Sequence, residues 1–144
     1  MQEPIQNELA SFIANCDWEK IAPHFKEDAA YRVLDWVGCA VAGEHYPQVE
    51  IAQKYFIENG DQGNSTVIGH QTKCSPRTAA FLNGIAGHVC ELDDGHRTAI
   101  GHPGSIAVPT ALALGEHLNA NGADVLKAVI LGYEVFSRLG RTVN

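Results

Sequence analysis

Apolar residues recur at helical spacing along most of the chain. Ile5, Leu9, Phe12 and Ile13 mark a first stretch over residues 4–15, with Pro4 suited to a first helical turn. Residues 27–42 carry Ala30, Val33, Leu34, Val37, Cys39, Ala40 and Val41 and stop at Gly43, which enters the left-handed region at little cost. Pro47 opens a third helix, in which Val49, Ile51, Ala52, Tyr55, Phe56 and Ile57 run to Asn59-Gly60. Ser75-Pro76 caps and starts a fourth that extends to about Leu92. A fifth begins at Gly104-Ser105 and contains Pro109, a residue that kinks helices. The sixth begins at Asn121-Gly-Ala-Asp124 and runs through Val129, Ile130, Tyr133 and Phe136 to Gly140.

Two stretches break the pattern. Asp17 to Pro23 reads as a connection that drops Trp18 onto the core, and Ser65-Thr-Val-Ile-Gly69 is β-branched enough for one short strand, with no partner in sight. The prediction is an all-α fold of about six helices forming a single domain over residues 1–144. Ala79, Ala80, Gly84, Ala86 and Gly87 before residue 90, and Ala107, Ala111, Ala113 and Gly115 after residue 104, let two helix axes approach closely. A glycine inside a helix costs up to about 1 kcal/mol relative to alanine, so tight packing there must offset it.

Between those two small-residue helices the sequence turns polar: Glu91-Leu-Asp-Asp-Gly-His-Arg-Thr-Ala-Ile-Gly-His-Pro-Gly104. Three carboxylates, two imidazoles and a guanidinium within one loop need partners if they are buried. Loops held by rigid helices often carry binding and catalytic groups. Asp93 and Asp94 lie at a helix end whose dipole disfavours carboxylates, so His96, Arg97 and His102 are their natural partners. An imidazole held by a carboxylate is a competent general base, which makes His102 with Asp93 or Asp94 the candidate catalytic group. Gly104 opens a helix whose N-terminus favours an anion, here a substrate carboxylate. The plain alternative is a capped turn with solvated histidines. A metal site is the competing chemistry, because His88-x-x-Glu91 has helical i, i+3 spacing, but the second such pair required by carboxylate-bridged centres is missing. No metal or cofactor is therefore expected, and His88 reads as a helix-packing residue.

Composition narrows the function classes. A net charge of -7 argues against a nucleic-acid surface. No window approaches the roughly 18 to 20 apolar residues of a membrane span, and Met1 to Glu8 lacks the basic start and apolar run of a signal peptide. The four cysteines are widely spaced without a C-x-x-C pair, as in a reduced, cytoplasmic protein.

Several motifs in order carry a family resemblance: Leu34-Asp-Trp-Val-Gly-Cys-Ala-Val-Ala-Gly43, Ala79-Ala-Phe-Leu-Asn-Gly84 with His88, Glu91-Leu-Asp-Asp94, Gly101-His-Pro-Gly104 and Leu131-Gly-Tyr-Glu-Val135. The chain resembles the N-terminal part of the MmgE/PrpD family of 2-methylcitrate dehydratases, cis-aconitate decarboxylases and iminodisuccinate epimerases. The resemblance implies a large helical domain, a homodimer, and cofactor-independent proton transfer next to a carboxylate of a small polycarboxylate. It places an active-site histidine at His102 and the family's acidic motif at Glu91, Asp93 and Asp94; from the loop's own residues, Glu91, His96, Arg97 and Gly104 are the candidate substrate contacts. Glu91 stands where aspartate is usual, and Gly95 where many relatives have threonine. Family members also carry a second α/β lid domain, and the resemblance, confined to the N-terminal helical part, leaves that domain unexpected within residues 1–144. The expected reading is a lyase or isomerase module, incomplete alone (a fragment, a truncated paralogue or a split-enzyme subunit). Its expected partner is a second copy or a complementary subunit. The alternative is a non-catalytic helical module that dimerises or supports a partner.

Overall fold

The computed structural model describes residues 5–143 and is a helical domain with one two-stranded hairpin. The expectation for Pro4 lies outside the described residues. Helix α1 spans Ile5–Ala14, and a 3-10 turn covers Trp18–Lys20 with Asp17 as its cap. Helix α2 spans Pro23–Gly43, beginning four residues before the apolar periodicity does because Pro23 sits at the first helical position. Helix α3 spans Pro47–Glu58 and α4 spans Pro76–His88, where Ser75 Oγ accepts from the Thr78 amide. Helix α5 spans Gly104–Leu118, with Pro109 buried in its second turn, and α6 spans Gly122–Val143.

Helix α4 ends four residues earlier than the sequence suggests. Past it, Glu91 adopts φ 49°, a left-handed conformation with which a helix does not continue. The strand candidate is real but short. Ser65–Thr66 (β1) pairs antiparallel with Lys73–Cys74 (β2), in register Ser65 with Cys74 and Thr66 with Lys73. Its partner lies in a polar run, Gln71-Thr-Lys-Cys-Ser75, that shows no alternation.

Two apolar clusters hold the helices. Trp36, Ala40, Val49, Ala86, Val108, Ala111 and Val129 join α2 to α6, and Val67, Cys74, Ala79, Leu82 and Ala113 seat the hairpin on α4 and α5. The small residues do what their spacing suggests. A Cβ on Gly87 would lie 2.4 Å from the Trp36 indole nitrogen, and one on Gly43 would lie 2.0 Å from the Ala86 carbonyl oxygen. Glu116 of α5 fastens the hairpin from outside, accepting from the Thr66 amide and hydroxyl and from Lys73 Nζ at 2.6–2.7 Å. The four cysteines are unpaired. No helix among the described residues is long and apolar enough to cross a membrane.

The glycine contacts can be tested within a single helix. Gly43→Ala should cost about 1–3 kcal/mol, because backbone atoms of α4 must move to admit the methyl. Gly38→Ala, in the same helix, would place its methyl with nothing within 4 Å and should stabilise by up to about 1 kcal/mol. Denaturation midpoints that move together for the two variants would contradict this packing. Glu116 gives the second test. Burial acts to raise its carboxyl, but the bonds from Lys73 and Thr66 and the lysine charge outweigh that and hold it below the usual carboxylate range. Its contribution is therefore complete above the ordinary glutamate value of about 4.3 and fades as pH falls through the lowered one. After allowance for its partial exposure, Glu116→Gln should cost about 0.5–1 kcal/mol at neutral pH, with the difference shrinking below about pH 4. A pH-independent difference would contradict the account.

Candidate functional site

The polar loop, residues 89–103, is fixed by two adjacent carboxylates that face different partners. The Asp93 side chain is fully out of water. His88 Nδ1, at the last residue of α4, lies 3.0 and 3.2 Å from its two oxygens, and Ser105 Oγ, in the first turn of α5, donates to Oδ2 at 2.6 Å. Trp36 Nε1 on α2 in turn donates to Ser105 Oγ at 3.3 Å. A buried carboxylate is tolerated when donors surround it, and these come from α4 and α5. His102 Nδ1 also approaches Asp93, 3.3 Å from Oδ2, but it is buried without an aligned hydrogen bond. Catalytic hydrogen bonds are often long or misaligned in unliganded sites. The His88 and His102 rings lie 4.6 Å apart, tilted by 60°.

Asp94 faces the other side. Its Oδ1 accepts the Gly104 amide at 3.0 Å, its Oδ2 pairs with Arg32 of α2 at 3.3 Å, and the Tyr133 hydroxyl of α6 lies beside the same carboxylate at Gly104. The Arg32 guanidinium also lies over the Tyr133 ring, 4.9 Å from its centre, and pairs with Asp28. Burial, then the charge and hydrogen bond of Asp94, push the Tyr133 phenol well above its ordinary value, so it stays protonated as a donor. Gly104 has no room for a side chain, since a Cβ there would lie 2.5 Å from Asp94 Oδ1 and 2.9 Å from the Tyr133 hydroxyl.

The sequence places the right residue types in this loop, and the structure sorts them. His102, His88 and Ser105 line an open cleft of about 650 Å³ with Phe81, Ile85, Ile106 and Pro109 among its apolar walls, and Asp93 is buried against them. Apolar walls with a few convergent polar groups are the usual make-up of a small-molecule site. Asp94, expected as an alternative holder of His102, instead binds the α5 N-terminus, Arg32 and Tyr133. The Gly104 amide, expected to receive a substrate carboxylate, is already taken by Asp94. With α4 ending at His88, neither aspartate sits at an unfavourable dipole end. Asp94 supplies the anion that the α5 start favours.

Glu91 and Arg97 are exposed. His96 folds onto its own loop: its amide donates to the Gly101 carbonyl at 2.8 Å, and its Nδ1 accepts from the Ala99 amide at 3.1 Å. It lines a separate recess of about 340 Å³ with Arg32, Asp94 and Tyr133. Two readings of His88 need correction. It is half-exposed and bonded to Asp93, so it is more than packing, and with Glu91 outside the helix the two no longer share a face. Among the described residues, the trio whose donor atoms lie within 4.8 Å of one another, close enough for one metal ion, is His88, Asp93 and His102. Arg32, Trp36, Ser105 and Tyr133 are not legible in the sequence as site residues. Arg32 and Tyr133 reach Asp94 from helices far away in the chain.

The comparisons with known proteins agree with the motifs. The model of the MmgE/PrpD N-terminal domain matches residues 7–144. The chain is 31% identical over 140 residues to the cis-aconitate decarboxylase-like protein oryM of Aspergillus oryzae, covering 92% of this chain and 29% of that protein. It is 31% identical over 144 residues to the cis-aconitate decarboxylase of Aspergillus terreus, covering 96% of this chain and 29% of the relative. With the human cis-aconitate decarboxylase it shares 34% identity over 112 residues, 74% of this chain and 23% of that one. The chain thus spans less than a third of the length of the curated relatives it matches, and it belongs to the MmgE/PrpD family through that family's N-terminal domain.

Proposed function

We propose that this chain supplies part of the active site of a lyase or isomerase that moves a proton next to a carboxylate of a small polycarboxylate such as cis-aconitate. The observation that carries this reading is His102, which lines an open cleft, set against the buried Asp93. Its side chain is 40% exposed while Nδ1 is buried against Asp93, which leaves Nε2 as the nitrogen to exchange a proton. Asp93 Oδ2 stands 3.3 Å from the imidazole Nδ1, and Ser105, backed by Trp36, fixes Asp93. Proton transfer by a positioned imidazole contributes typically about 10²- to 10⁴-fold. Asp94 has a positioning role: with Arg32 and Tyr133 it fixes the start of α5, and hence His102 two residues before it. Glu91, His96 and Arg97 border the same loop and are available to contacts from elsewhere in a larger assembly. The chemistry needs no metal or cofactor.

A second reading, an association module for a further polypeptide, is favoured by one feature. An apolar groove of about 610 Å³ runs between α5 and α6, lined by residues such as Leu114, Leu118, Leu131, Val135, Phe136 and Leu139. Of the 22 residues of α6, Val129 alone is buried. An exposed apolar strip of this kind marks an interface. Sedimentation should show self-association, or a stable complex with a polypeptide carrying the remaining helices of a relative. A clean monomer that binds neither would contradict it.

For the catalytic reading, His102→Ala in the assembly that turns over should lower kcat by about 10²- to 10⁴-fold, and chelators should leave turnover unchanged. Near-full activity of that variant, or loss of activity on chelation, would overturn it. Asp94→Asn should act mainly through stability, costing about 1–3 kcal/mol as the Gly104 amide loses a charged acceptor and Arg32 keeps Asp28 alone, with a much smaller change in kcat among folded molecules. A kcat loss equal to that of His102→Ala, without loss of stability, would contradict the positioning role.

A further inference from the structure

Asp93 serves two imidazoles, and the one it holds better is not His102. His88 Nδ1 reaches both Asp93 oxygens, at 3.0 and 3.2 Å, while His102 Nδ1 sits 3.3 Å from Oδ2 without alignment. Both rings border the same cleft, and their side chains are exposed to similar degrees, 44% for His88 and 40% for His102. In each ring Nδ1 lies against the buried carboxylate, which leaves Nε2 as the nitrogen not taken up by Asp93. A carboxylate only accepts, so a ring bonded to it through Nδ1 presents an Nδ1–H and leaves Nε2 to exchange a proton. Among the described residues no lysine or arginine lines the cleft, whose lining is completed by Gln48 of α3, Ser105 and Thr110 of α5 and apolar side chains.

We infer that His88 is a second proton-transfer group of this cleft, paired with His102 through the shared Asp93. The inference rests on the proposed function and deepens it. One imidazole is neutral and its Nε2 accepts the proton leaving the C–H next to the substrate carboxylate, with the C–H electron pair staying on carbon. The other is an imidazolium whose Nε2–H returns a proton, to the opposite face of that carbon or to a departing hydroxide, which leaves as water. The pair gains one proton and loses one, so its total charge against Asp93 is the same before and after. A single imidazole would have to carry out both transfers itself. Two rings 4.6 Å apart place an acid and a base in one cleft.

The full chain, labelled with ¹⁵N, allows a direct test, because long-range proton–nitrogen spectra report which ring nitrogen carries hydrogen. His88 should show a protonated Nδ1 at neutral pH, as should His102, whereas His96, whose Nδ1 accepts from Ala99, should show the Nε2–H form and serves as an internal control. His102→Gln should leave the His88 signature in place, and Ser105→Ala should disturb both rings. On addition of cis-aconitate the ring signals of both His88 and His102 should shift while those of His96 stay. A His88 in the Nε2–H form, or a ligand shift at His102 without one at His88, overturns the inference and leaves the proposed function standing. No shift at either ring overturns the proposed function, and the role of His88 with it. If the paired reading holds, His88→Gln in a turning-over assembly should lower kcat by about 10²-fold or more with little change in KM.

Discussion

Two neighbouring carboxylates that cannot share partners are the constraint on which this site depends. In the segment after α4, which bends at Asp93, the two adjacent side chains diverge. Asp93 therefore turns into the helical interior between α4 and α5, while Asp94 turns toward α2 and α6. Each finds partners where it lands: His88 and Ser105 for one, the Gly104 amide and Arg32, with the Tyr133 hydroxyl close by, for the other. The loop is thereby tied to four helices through two residues. Removing one partner would leave a carboxylate short of donors, which is costlier than the bond itself is worth.

The glycines and alanines of the flanking helices belong to the same arrangement. Gly87 leaves space for the Trp36 indole, which bonds Ser105, which bonds Asp93. Gly104 leaves space for Asp94 and the Tyr133 hydroxyl. Positions that look like simple helix packing in the sequence thus set the geometry of the imidazoles. The helix propensity lost at Gly87 is offset by what it admits.

Helical periodicity makes α2, α3, α5 and α6 legible, because their apolar faces are continuous. The end of α4 is not, since Glu91 takes a left-handed conformation with no glycine to announce it. Strand β2 escapes because a two-residue polar strand has no pattern. In the site, the density of titratable groups between residues 91 and 104 marks the loop, and the motifs mark the family. What the sequence cannot separate is which of two adjacent aspartates meets the histidines, as that depends on the local backbone direction. Arg32, 62 positions from Asp94, is joined to it only by the tertiary fold. His88 reads as packing because its helical surroundings are small and apolar, and its bond to Asp93 needs the turn that follows.

The central claim is that the cleft bearing His88 and His102, and not the Arg32 recess on the other side of the loop, receives a polycarboxylate. A crystal structure of the chain, alone or in its assembly, with cis-aconitate bound tests this most directly. The account predicts the ligand in that cleft, with one carboxylate or its neighbouring carbon within about 3–3.5 Å of an imidazole Nε2. A ligand seated against Arg32 and His96, or a metal ion bridging His88, Asp93 and His102, would contradict it.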